Sequence, residues 1–91
     1  QKEGRLNKLE SLLDKAVKSS NSAEISYNTQ TKNLKQAKDA EAILLKNYET
    51  GTIDFEDILD IQELELKFQM NQIESIKNYY LQQTIINYLT N

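Results

Sequence analysis

Six carboxylates crowd one stretch of this chain: Asp54, Glu56, Asp57, Asp60, Glu63 and Glu65, with no basic residue among them. Metal binding is the first chemistry such a cluster suggests, and the surrounding residues argue against it. Asp54-Phe55-Glu56-Asp57 lacks the glycine and the ligand spacing of a calcium-binding helix-loop-helix. A di-metal centre held between helices needs a Glu-x-x-His pattern, and the chain has no histidine. There is no cysteine, no serine in a nucleophile motif, and only Gly4 and Gly51 as glycines, too few for a phosphate-cradling loop. The expectation is therefore no catalytic residue, no metal, no cofactor, and a protein that is not an enzyme. The simplest role for the acids is to sit at the start of a helix, where the macrodipole stabilises each by about 0.3–1 kcal/mol. That explanation covers Asp54, Glu56 and Asp57 well, and Asp60 onward poorly.

The elements that position these residues follow from composition and period. The chain has 91 residues, 38% of them hydrophobic, with no proline and no tryptophan. So lean an apolar content leaves little surplus over chain entropy, and no disulfide can supply one. A piece of a larger assembly, or an oligomer, is the expected context, and the opening Gln1-Lys2-Glu3-Gly4, neither signal peptide nor initiator, is read the same way. The longest unbroken apolar run, Ala42-Ile43-Leu44-Leu45, is far short of the ~20 residues of a membrane-spanning helix. A net charge of −3 argues against a nucleic-acid surface, which needs clustered Lys and Arg.

Missing proline and scarce glycine favour long helices. From Leu6, alternating steps of three and four pass through Leu9, Leu13, Ala16, Ser20, Ala23, Tyr27, Gln30, Leu34, Ala37, Glu41, Leu44 and Tyr48. Apart from Gln30 and Glu41, every one of these is Leu, Ala, Tyr or Ser, a heptad seam held in one phase. Ala16, Ser20 and Ala23 imply close helix approach, and Gln30 and Glu41 are read as register-setting or partly solvated. A weaker stripe (Leu12, Val17, Ala40, Ile43) suggests contacts on more than one side. Ser19-Ser20-Asn21-Ser22 is the poorest helical stretch, yet the seam crosses it without a phase change, so one continuous helix over about residues 5–49, with a soft spot at this segment, is expected, ~67 Å long.

Glu49-Thr50-Gly51-Thr52-Ile53-Asp54 is the one convincing break. Gly51 supplies the left-handed residue of the turn, and Asp54 or Thr52 caps the next helix. That helix, about residues 55–90, carries two interleaved apolar phases. Ile58, Ile61, Phe68, Tyr79, Ile86 and Leu89 form one, and Phe55, Leu59, Leu66, Ile73, Ile76 and Tyr80 the other. Two adjacent seams mean a helix touched from two sides. The fold class is all-α: one antiparallel helical hairpin of coiled-coil type spanning residues 1–91, with its tip at 50–54. Charge divides along it, with nine basic and seven acidic residues in 1–50 against two and seven in 51–91.

The tip string Tyr48-Glu49-Thr50-Gly51, followed by Asp54-Phe55-Glu56-Asp57-Ile58-Leu59-Asp60-Ile61-Gln62, resembles the TolC-like outer-membrane efflux family. That family's second repeat has a Tyr-x-x-Gly turn and then an Asp-[Val/Ile]-Leu-Asp-Ala-Gln segment. Asn78-Tyr79-Tyr80-Leu81 is similar to the family's aromatic stretch before its closing helix. The specific motif covers about fifteen residues, and the heptad pattern is compatible over nearly the whole chain.

The resemblance implies a homotrimer whose outer-membrane barrel continues into a periplasmic helical tunnel. This chain would be one hairpin of the tunnel wall, meeting the membrane only through the barrel part of its parent. Its tip would help form an iris that docks a periplasmic adaptor protein and an inner-membrane pump. Asp57 and Asp60 match aspartates ringing the closed aperture, where three copies would favour cations and bind multivalent ones. Tyr48 matches a tyrosine that latches neighbouring hairpins. Ile53 stands where the family has a latch arginine, and Ile61 where a small alanine is usual. Beside these roles stand plainer ones: Asp57 as a helix-start carboxylate, Asp60 as a solvated charge, Tyr48 as a core aromatic closing the hairpin end, and Tyr79, Tyr80 and Tyr88 as packing residues. The functional expectation is a passive export conduit. The rival is a structural coiled-coil or adaptor hairpin that assembles proteins without a pore.

Overall fold

The computed structural model describes the backbone of residues 2–91 and the side chains of residues 7–91. Two helices account for almost all of it: α1, Lys2–Glu49 (48 residues), and α2, Phe55–Thr90 (36 residues). The molecule measures 72 × 16 × 13 Å, the proportions of two helices lying side by side. Helix α1 passes through the serine- and asparagine-rich segment at 19–22 unbroken. Seam continuity outweighs weak local propensity there, because Ser20 is packed in the seam at 3% exposure.

Hydrogen bonds across the hairpin establish its antiparallel register. Gln62 reaches Glu41, Gln72 reaches Thr31, Ser75 reaches Ser26 and Gln83 reaches Ser20. Each step up α2 meets a residue further down α1, as a short turn requires. The α1 seam is where its period places it, with Ala16, Ser20, Ala23 and Ala37 buried and Leu13, Tyr27, Gln30, Leu34, Glu41 and Leu44 half-buried. Only its outer members, Leu9 and Tyr48, are exposed among the described residues.

On α2 one of the two apolar phases fills the seam. Ile58 is buried, and Ile61, Phe68, Tyr79, Ile86 and Leu89 are half-buried. Glu65, Gln72, Ser75 and Gln82 complete its heptad positions, so polar layers alternate with apolar ones. Near the middle, Ser75 donates to Ser26 Oγ at 2.9 Å and Gln83 Nε2 donates to Ser20 Oγ at 2.7 Å. These small residues let the helices approach closely, at the expense of apolar area. The result is a thin core. The accessible surface is 7244 Å², whereas a globular chain of 10.6 kDa exposes about 5,500 Å².

Candidate functional site

The tip is built from backbone hydrogen bonds. Gly51 has φ +77°, the left-handed conformation that glycine adopts without strain. It places the Gly51 N–H on the Tyr48 carbonyl at 3.0 Å and the Thr52 N–H on the Asn47 carbonyl at 2.9 Å, the paired bonds of a Schellman ending. The hydroxyls of Thr50 and Thr52 both donate to the same Asn47 carbonyl at 2.9 Å. A helix end that would otherwise leave orphan carbonyls is thereby well satisfied.

Helix α2 starts equally firmly. Asp54 is extended (φ −87°, ψ 154°), and its N–H donates to Asp57 Oδ2 at 3.3 Å. Asp57 thus folds back over the helix start, with the macrodipole in its favour. Ile53 and Ile58 occupy the positions on either side of the cap that form a hydrophobic staple. Ile53 is half-buried and Ile58, at 1% exposure, is the most enclosed large side chain described. Tyr48 and Phe55 bring their rings together at 5.7 Å between centroids across the turn. The aromatic contact at the tip is therefore made within one hairpin, by a Tyr48 that remains 44% exposed.

Asp57 and Asp60 are both exposed. Three residues apart, they share one flank of α2, together with Leu64, Lys67, Asn71, Leu81 and Tyr88 further along. Asp60 borders a shallow depression with Glu63, Leu64, Lys67 and Met70. The second apolar phase lies on the other flank, and every member of it, Phe55, Leu59, Leu66, Ile73, Ile76 and Tyr80, is exposed. So α2 has three distinct sides toward its surroundings: the seam, an apolar flank, and a flank that begins with acids. The weaker α1 stripe divides between flanks. Leu12, Ala40 and Ile43 fall on the side of Asp57 and Asp60, and Val17 on the other. Of the three α2 tyrosines, Tyr79 is half-buried and sets its ring edge-on to Tyr80 at 5.6 Å. Tyr80 and Tyr88 fall outside the seam and are exposed, Tyr88 at 84%.

One acid of the cluster behaves unlike the rest. Glu65 is in the seam, about one turn along from the residue opposite Glu41, whose Oε2 accepts a hydrogen bond from Gln62 Nε2 at 2.9 Å. Burial, together with the hydrogen bond and like charge of Glu41, raises the Glu65 carboxyl above the ordinary glutamate range, and Lys38 opposes that rise. By sequence Glu65 belongs only to the acidic run. Its continuation of the 58–61 step pattern was the available signal.

Among the described residues no three acidic side chains converge as a metal site, and no helix is long and apolar enough to cross a membrane. No protein-family model matches this chain, and neither a curated protein nor a solved structure shows significant similarity to it.

Proposed function

We propose that the hairpin is a wall element of a larger helical tube: a periplasmic segment of a trimeric TolC-like export channel, with its tip taking part in gating. The observation that carries this reading is the exposed apolar flank of α2, from Phe55 to Tyr80, set beside a filled seam. A self-contained two-stranded coiled coil needs one seam, whereas a helix inside a closed wall needs two. The acidic flank begins at the opposite side of the same helix, so a neighbour on the apolar flank leaves Asp57 and Asp60 uncovered. The tip string from Tyr48 to Gln62 is what ties this wall element to the export family. In that setting the conduit does no chemistry. An adaptor and an inner-membrane pump drive export, and opening is a rigid-body shift of packed hairpins.

Ile53 supports a tip held differently from the family's. It serves as the staple residue of α2, an apolar role that a latch arginine could not fill, so the closed tip would depend on Tyr48, Phe55 and packing rather than on an ion pair.

Single-channel recording on the channel that carries this hairpin tests the reading. The expected result is a cation-preferring conductance blocked by multivalent cations. Asp57→Ala with Asp60→Ala is expected to weaken both properties and leave the channel assembled. A conducting channel indifferent to the double change would return both aspartates to helix-start and surface roles. Absence of any channel would favour a scaffold hairpin without a pore.

A further inference from the structure

Most acids of the 54–65 run point into solvent, where a carboxylate is stable as it stands. Glu65 does not. Its Oε2 is shielded from solvent and is the one such side-chain oxygen without a hydrogen-bond partner among the described residues. Across the seam stands the carboxylate of Glu41. Two ionised carboxylates cannot satisfy each other, because each has only acceptors. A shielded acceptor beside another acceptor is unfavourable unless a proton supplies the missing donor.

We propose that Glu41 and Glu65 form a proton-operated clasp near the tip of the hairpin, closed when the two carboxyl groups share one proton and slackened when both are ionised. The inference stands on the seam geometry and does not depend on the channel reading.

The surroundings decide where the proton resides. Gln62 Nε2 donates to Glu41 Oε2, which holds Glu41 as the acceptor and leaves it lone pairs for a second donor. Glu65 has no such donor, so it takes the proton from solvent and its O–H donates across to Glu41. Only α1 packs against this part of α2. The charged groups it brings to Glu65 are Glu41, which favours protonation by repulsion, and Lys38, which opposes it. The remaining polar neighbour, Gln62, is uncharged and lies on α2 itself.

The direction of the effect follows from linkage. A carboxyl that holds its proton more tightly in the folded chain than in the unfolded one adds stability at low pH. That contribution is complete below the unfolded value and is lost as pH rises through the raised folded value. Acidification should therefore tighten the tip half of the hairpin. Among the described residues, the hydrogen bonds that cross the seam nearer the open end join Ser, Gln, Thr and Asn side chains, which have nothing to titrate.

The test is a carboxyl carbon NMR titration of the chain itself, with the exposed Glu56 and Glu63 as internal references. The Glu65 midpoint is expected above both references, and in Glu41→Gln it is expected to fall toward them. Glu65→Gln, which carries its own permanent donor, should raise the urea midpoint at neutral pH, and the gap to the unchanged chain should narrow on acidification. A wild-type Glu65 midpoint level with Glu56 and Glu63 would overturn the clasp, and that result needs no variant to fold. A raised midpoint that Glu41→Gln leaves unmoved would also overturn it, since burial alone would then account for the rise.

Discussion

Single residues govern this hairpin where the chain reverses. Gly51 is at φ +77° with no atom within 4 Å of where a β-carbon would stand. Substitution there meets no steric obstacle, only the backbone cost of a left-handed L-residue. Gly51→Ala should therefore lower stability by about 1 kcal/mol, a drop of roughly 4–8 °C in melting temperature for a chain of this size. Circular dichroism melts at one fixed concentration would measure it. A loss several times larger would mean that the Schellman bonds from Gly51 and Thr52 had also broken. The same locality explains which site residues were legible beforehand. Gly51 is visible in any sequence because turn chemistry is encoded in one residue. Asp57 is exposed as both of its proposed roles require, and its bond to the Asp54 N–H adds a capping task that its distance of three residues from Asp54 already permits. In the sequence Ile53 stands only as a missing arginine. Its staple role becomes visible once Asp54 is known to be the cap, because the cap decides which flanking positions face each other.

At the scale of the helices, the seam was the most legible feature and its polar layers the least. A strict alternation of three and four steps identifies a buried face without reference to any partner, so the α1 seam could be read from Leu13 to Leu44. Which polar side chains meet depends instead on the register set by the turn, as with Gln83 and Ser20, which are 63 positions apart. On α2 the sequence shows two apolar phases but cannot rank them. The structure fills the one whose heptad positions continue through Gln72 and Ser75, which hydrogen-bond to Thr31 and Ser26 across the seam. Close approach at this waist predicts a sharp asymmetry between two similar changes. Ala23→Leu adds volume at a buried position of the seam, Ala23 being 4% exposed, and should cost about 1–3 kcal/mol. Ala42→Leu adds the same volume at an exposed position of α1 and should change stability by less than about 0.5 kcal/mol. Urea denaturation of the two variants side by side checks the pair. Equal effects would show that the small seam residues are not holding the helices together.

The whole molecule is a rod that leaves a long row of apolar side chains uncovered. The exposed flank of α2 runs from Phe55 to Tyr80, about 38 Å along the helix axis, and carries six large apolar side chains in register. A contiguous apolar strip of that kind is uncommon on a solitary soluble chain. If the hairpin belongs in a wall of helices as proposed, the strip of the isolated chain is expected to pair with other copies, giving dimers or larger bundles whose weight rises with concentration. Sedimentation equilibrium over a range of protein concentrations would detect this. Leu66→Glu with Ile73→Glu places two charges in the middle of the strip, outside the seam, and should return the chain to a monomer of nearly unchanged helicity. The exposed aspartates provide the control. Asp57→Asn with Asp60→Asn alters the opposite flank and should leave the association as it was. Should the charged flank variant associate as strongly as the parent, the contact would have to use another surface, with Leu12, Ile43, Leu81 and Tyr88 on the acidic flank as the next candidates. A chain that stays monomeric throughout would remove the second seam as an interface, and with it the physical reason for placing this hairpin in a wall of helices rather than by itself.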